Sequence, residues 1–346
     1  MRRVVYDVTI RYAAVVPQQS RHGNTMKTNR ITDLLKIRYP IFQAPMGRTA
    51  PPGLAAAVTN AGGMGMLGTS WDTPKIMKEK IRATRALTDK PFAVNLAMPW
   101  DQHERLEIAL AEGVKAVSLF WGDPSPYMRK AKEAGAVVIH TVATPEEARH
   151  AVDLGADIIV AQGVESGGHV WSTVSTMVLV PLVCDAVPGV PVVAAGGIAD
   201  IRGVRAALAL GAQGVWLGTR FLATVESGAH DDFKQRLLAA RATDTVYTML
   251  FDQGWPDAPH RALRNSTVRM WEDAGCPSTG KRPREGEIVG AFPNGDPIRR
   301  YGVPAPMRGA TGEIEAFALY AGQSVGLIRD LPLAASVMHE LARAFA

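Results

Sequence analysis

The chain has 346 residues, 47% of them hydrophobic and 21% charged, with a net charge of +5 and two cysteines, Cys184 and Cys276. No basic block interleaved with aromatics speaks for nucleic acid, and no apolar run approaches the ~18 residues of a membrane helix. Two cysteines without a CxxC pair give no disulfide framework, so a globular, cytoplasmic protein is expected, and the length suits one large barrel with an appended piece or two domains.

The first stretch, "MRRVVYDVTIRYAAVVPQQSRHGNT", starts positive, but Asp7 and Arg11 interrupt any signal-type apolar core. Residues 1–25 read as a mis-called start or a disordered leader, and 1–29 as a whole is expected to be a disordered leader before a folded chain that begins at residue 30. From there short apolar runs recur at 41–46, 63–68, 92–98, 116–121, 137–142, 158–163, 191–197 and 214–219. Near-continuous apolar runs, rather than alternating ones, indicate strands buried on both faces of a parallel sheet. The stretches between them, such as "SPYMRKAKEAG" and "TPEEARHAVDLG", are amphipathic and end at a capping glycine. Thr144-Pro145-Glu146-Glu147 is a helix start, with proline at the first position and acids in the first turn.

Eight such β/α units predict an α/β protein of the (β/α)8 TIM-barrel class. Residues 30–225 and 320–346 would form the barrel, the C-terminal stretch supplying the eighth helix. Between them, 226–319 is dense in proline and glycine and loses periodicity. It is expected to be a smaller, mainly helical or irregular insertion after strand eight. On the face where barrel sites lie, it would cover the site or build a homodimer contact.

Two glycine motifs are decoys. Gly63-x-Gly65-x-x-Gly68 follows a helix and lies within a strand run, whereas a dinucleotide fingerprint must follow a strand and open a helix. Gly275-x-x-x-x-Gly280-Lys281 lacks the Ser/Thr of a P-loop, Arg282 standing in its place. No His/Cys/Asp cluster has metal spacing, so no metal is expected.

The ends of strands seven and eight, "AAGGIAD" and "LGTRF", each place glycine where barrels bind phosphate; tight turns are the alternative. "AQGVESGGHVW" ends strand six at Gln162-Gly163. Its glycines, Gly167 and Gly168, would let the backbone lie against a planar ligand. His169 would then face the barrel mouth, and a histidine's ordinary pKa of about 6.5 suits proton transfer. Glu165 reads as a brace for the loop. Met64 and Met66 read as core fillers.

"PIFQAPMGRTAPPGLAAAVTNAGGMGMLG", "AQGVESGGHVW", "PVVAAGGIADIRGVRAALALGAQGVWLGTRF" and "YAGQSVGLI" together resemble the nitronate monooxygenase (2-nitropropane dioxygenase) family of FMN-dependent barrels, over roughly 30–330. The resemblance implies FMN, with its phosphate at the ends of strands seven and eight. It carries cofactor binding to Pro45, Met46, Asn95, Gln162, Gly167, Gly197, Trp216, Leu217, Gly218 and Thr219, and makes His169 the active-site histidine. Asn95 and Gln162 would bond the pyrimidine side of the flavin, or else nearby backbone. His140 would also face the cofactor, without a catalytic role, and Trp100 and Trp121 would wall the pocket. Family members often read EAGGH followed by Arg-Gly or Ile-Gly; Ser166, Val170 and Trp171 depart from that and bear on the substrate pocket. The implied reaction takes an alkyl nitronate and O2 to a carbonyl compound and nitrite. The rivals are an NAD(P)H:quinone or enoyl-acyl-carrier-protein reductase on the same scaffold, and a non-catalytic flavin-binding protein. Enoyl reductases of this type tend to carry Glu where Gln162 stands.

Overall fold

The computed structural model describes residues 29–346; the expected leader lies outside them, Asn29 apart. Asn29 caps a short helix, Arg30–Leu35, its side chain accepting from the Thr32 amide at 3.0 Å. Eight strands follow: β1 (Ile41–Gln43), β2 (Met66–Gly68), β3 (Ala93–Ala97), β4 (Ala116–Phe120), β5 (Val137–Val142), β6 (Ile158–Gln162), β7 (Val192–Ala195) and β8 (Gly214–Leu217). All pair in parallel, in the order β1-β8-β7-β6-β5-β4-β3-β2. The ring closes where Phe42 bridges Met64, just before β2. There the Met64 amide donates to Ile41 at 2.8 Å and the Gln43 amide to Met64 at 3.0 Å.

Alternation along each strand divides the apolar residues between two cores. Phe42, Met64, Met66, Ala93, Ala116, Ile139, Ile158 and Val193 fill the barrel, with Ile31 and Leu35 from the first helix packed among them. Val94, Val117, Val138, Ile159, Val192 and Val215 pack outward against the helices. Strands buried on both sides explain the unbroken apolar runs. Several helices start on side-chain caps: Thr144 accepts from the Glu147 amide at 3.1 Å, and Asp200 from the Arg202 amide at 2.9 Å. The last helix, Ala334–Ala342, returns to join the outer core through Val337, Met338 and Leu341. A Cβ on Gly63 would stand 2.6 Å from Met338 Cε. This glycine of the false fingerprint is therefore a packing contact, not a phosphate turn.

Between Leu222 and Leu333 the chain adds helices Asp231–Ala239 and Ser266–Asp273. It also adds two three-stranded antiparallel sheets. One sheet joins Thr245–Thr248, His260–Leu263 and Gly168–His169. The other joins Ile288–Ala291, Pro297–Arg299 and Thr311–Gly312. Strands of two to four residues are too short to carry a hydrophobic period, so the sequence shows only irregularity there. Buried arginines knit the second piece: Arg300 donates to Glu287, Glu313 and the Thr267 hydroxyl. Among the described residues no helix is long and apolar enough to cross a membrane, and no metal-binding cluster occurs.

His140 corrects one expectation. It lies on β5 between Val138 and Val142, both of the outer core, so its ring turns away from the barrel mouth. It is 3% exposed, with Nδ1 3.1 Å from the Leu119 carbonyl. His260 is buried as well, Nδ1 facing the Ala258 carbonyl at 2.9 Å while Nε2 accepts from the Phe251 amide at 3.3 Å. Burial lowers each imidazole to about 4. In the unfolded chain both titrate near 6.5, so between these values the unfolded state binds more protons and stability falls as pH drops. Each should contribute a slope approaching ~1.4 kcal/mol per pH unit. Urea unfolding measured between about pH 7 and pH 5 should show this loss, and His140→Asn should flatten it; an unchanged slope would mean that His140 is not held neutral.

Candidate active site

The C-terminal ends of the strands and the insertion enclose a cleft of about 400 Å³. Val160, Ala195 and Trp216 form part of its lining, Trp216 stacked on Phe42 with ring centroids 5.6 Å apart and planes 19° from parallel. Pro45, Met46, Asn95, Gln162, Gly167, His169, Trp216, Gly218 and Thr219 all line it. Two predicted residues do not. Leu217 alternates outward and is 1% exposed in the helix-facing core; only its carbonyl turns to β1, accepting from the Ala44 amide at 2.9 Å. Gly197, at φ +73°, sits behind the lining against the Glu165 side chain. A run of strand-end residues reads as a unit in sequence, but the pleat sends every second one to the other face.

The glycine-rich stretch after β6 is shaped by backbone crowding. A Cβ on Gly167 would lie 2.4 Å from the Gly322 amide nitrogen, so two chains meet there with no room for a side chain. The Glu165 carboxylate accepts from the Thr176 amide and hydroxyl, both at 2.9 Å, bracing the loop as expected. Beyond it, Gly168–His169 pairs antiparallel with His260–Arg261 of the insertion. Arg261 Nε reaches the Val164 carbonyl at 2.9 Å, and the Val170 amide donates to Pro259 at 3.0 Å. The insertion thereby holds the loop that carries His169.

The His169 ring stacks on Trp255, centroids 4.0 Å apart and planes 22° from parallel. Trp255 in turn meets Trp100 at 4.8 Å, Trp121 at 5.0 Å and Trp71 at 5.8 Å. Trp100 and Trp121 therefore stand behind Trp255 rather than forming the wall themselves. Burial, and secondarily the nearby His260, push the His169 pKa well below 6.5, leaving a neutral imidazole at physiological pH. Its Nε2 is buried without a partner. Gln162 Nε2 donates to the His169 carbonyl at 3.1 Å, while Gln162 Oε1 and the Tyr320 hydroxyl are likewise buried and unpartnered. An unsatisfied buried polar group costs about 1–3 kcal/mol. All three belong to residues that line the cleft. Ser166 Oγ is also unpartnered, 2.8 Å from where a Cβ on Gly196 would stand. It adds a hydroxyl near the strand-seven turn, where an anion was expected.

Thr141, Trp255 and Tyr320 line the cleft without having been assigned there from sequence. Tyr320 lay in "YAGQSVGLI", a stretch already singled out. Trp255 had no local signal, because its place depends on how the insertion folds back.

A family model described as nitronate monooxygenase matches residues 28–104 and 98–343. The chain is 36% identical over 329 residues to the (3aS,4S,5R,7aS)-5-hydroxy-7a-methyl-1-oxo-octahydro-1H-indene-4-carboxyl-CoA dehydrogenase of Mycobacterium tuberculosis, covering 87% of this chain and 91% of that one. It is 34% identical to the nitronate monooxygenase of Pseudomonas aeruginosa, covering 89% and 96%. Among solved structures, FabK from Thermotoga maritima superposes with a TM-score of 0.81 at 35% identity, over 92% of this chain and 96% of that one. The nitroalkane oxidase of Streptomyces ansochromogenes does so with a TM-score of 0.74 at 32% identity, over 91% and 98%.

The stack on Trp255 is directly testable. Trp255→Ala should admit water to the imidazole and raise the His169 pKa toward 6.5, whereas Trp255→Phe should keep it low. NMR titration of histidine-labelled protein, assigned with His169→Asn, reads the shift; an unmoved titration in Trp255→Ala would show that Trp255 does not keep the ring dry.

Proposed function

The chain belongs to the nitronate monooxygenase family, and from that premise we propose that this oxidoreductase uses FMN to oxidise alkyl nitronates with O2, yielding carbonyl compounds and nitrite. The observation that carries the reading is a cleft lined by Gln162, His169 and Tyr320, each with a buried, unpartnered polar atom, and by no carboxylate. Such a site suits a flat ring with a polar edge beside an anionic substrate.

Pro45, Met46 and Trp216 would flank the flavin ring, with Asn95 and Gln162 at its polar edge. The Gly218–Thr219 backbone and the Ser166 hydroxyl would meet the phosphate, where an open backbone favours an anion. Bound there, the flavin would take electrons from the substrate and pass them to oxygen. His169 is neutral at rest, and would accept a proton from a nitroalkane carbon at Nε2 as the nitronate anion forming beside the ring offsets the burial that lowers its pKa. Facing a nitronate, whose proton is already gone, the same ring positions the anion. The Tyr320 hydroxyl, kept protonated by burial, donates to an anionic oxygen. Trp71, Phe120 and Trp255 exclude water and receive the alkyl chain.

A reductase on the same scaffold is the second reading, favoured by the likeness to FabK and to an acyl-CoA dehydrogenase.

The purified protein should be yellow and release FMN on heat denaturation; FAD, or no flavin after reconstitution, would sink the reading. His169→Asn keeps hydrogen-bonding reach but cannot take a proton near neutral pH. Its activity on a neutral nitroalkane should fall at least ~10²-fold, and on the pre-formed nitronate much less, with FMN retained. Equal losses on both substrates would make His169 a binding residue rather than the base.

A further inference from the structure

Of the side chains that line the cleft, only Arg48 carries a charge at neutral pH. It lies in the turn Gly47–Thr49 that follows β1, exposed at the mouth. Its guanidinium sits over the ring of Phe292, 4.4 Å from the centroid. Phe292 immediately follows the insertion strand Ile288–Ala291. The ion pairs among the described residues engage other arginines and leave Arg48 out. A guanidinium laid on an aromatic face is fixed in plane while the N–H donors along its edge stay free. That planar fork matches a phosphate or carboxylate.

Two more cations surround the same turn. The Thr49 carbonyl accepts from the Gly228 amide at 2.9 Å and the Ser227 hydroxyl at 3.3 Å. Ser227's own carbonyl accepts from Lys234 Nζ at 2.9 Å and from Arg308 at 3.2 Å. Lys234 is only 4% exposed and spends its donors on backbone carbonyls. Glu226 and Asp231 act on it through space without touching it. Lys234 and Arg308 thus stand behind the turn with Glu226 and Asp231 near Lys234, so that Arg48 is the charge facing the cleft, and Leu222, Phe233, Val303 and Pro304 give apolar lining beside it. A guanidinium fork held in one plane suits a phosphate, whose several oxygens can accept from both of its N–H edges.

We propose that Arg48, seated on Phe292, binds a phosphate group of a second class of ligand: a carrier-linked substrate or reductant whose reacting end enters toward His169. A nicotinamide dinucleotide and a coenzyme A thioester share that chemistry. The proposal rests on this cleft being the substrate site, but it does not require that nitronates be the substrate.

The test titrates the FMN holoenzyme with ADP, coenzyme A and NADPH, read by flavin absorbance and tryptophan fluorescence. At least one should bind below about 1 mM, and which one does identifies the carrier. Arg48→Ala should weaken that ligand about ten- to a hundredfold, as expected for loss of a charge-assisted pair. Arg48→Lys should weaken it less, and added salt should weaken the wild type. The loss should exceed any change in KM for a small nitronate. Absence of binding by all three ligands would overturn the proposal. So would equal weakening of the nitronate, which would put the nitro group on Arg48, or loss of FMN from Arg48→Ala, which would give Arg48 to the cofactor phosphate. If the phosphate ligand behaves as expected while nitronates are not oxidised, only the monooxygenase reading fails.

Discussion

The site depends on the short antiparallel pairing of Gly168–His169 with His260–Arg261. A barrel can place a histidine at a strand end by itself, but it cannot fix the ring plane from a glycine-rich loop. Here the loop becomes the edge of a sheet whose other strands belong to the insertion. The same insertion delivers Trp255 onto the imidazole. Gly167 and Gly322 must both lack side chains for this to happen, because the loop and the segment after Tyr320 press backbone against backbone. The glycines are thus a packing requirement first, and the bare backbone beside the cleft follows from it.

Electrostatics follow from that closure. Burial under Trp255 and beside His260 denies His169 a proton, and no carboxylate in the cleft lining restores it. His260 is no rival base, since both its ring nitrogens are engaged by the backbone. The unpartnered atoms of Gln162, His169 and Tyr320 lower the stability of the empty fold, a cost that a bound ligand can offset. Function sits where local rules of polar satisfaction are broken.

Much of the barrel was legible because its signals are local. The run 137–142 is β5 residue for residue, and Thr144 starts a helix as its sequence context indicates. His169 was legible from its setting among glycines at a strand end. Other features needed the third dimension. His140 and Leu217 lie on strands that were located correctly, but strands buried on both faces give no alternation from which to tell inside from outside. The insertion's strands are too short to show a period, so neither its two sheets nor the return of Trp255 to the barrel mouth could be read. Arg48 carries no local signal, because the ring beneath it, Phe292, comes from the insertion.

The central claim is that this cleft lets a nitronate reduce a bound flavin. Anaerobic mixing of the FMN holoenzyme with a small alkyl nitronate, followed by flavin absorbance, tests it most directly. Bleaching of the oxidised flavin band, fast enough to account for turnover and reversed by admitting oxygen, is the result the account predicts. A flavin that stays oxidised in the presence of saturating nitronate would contradict it.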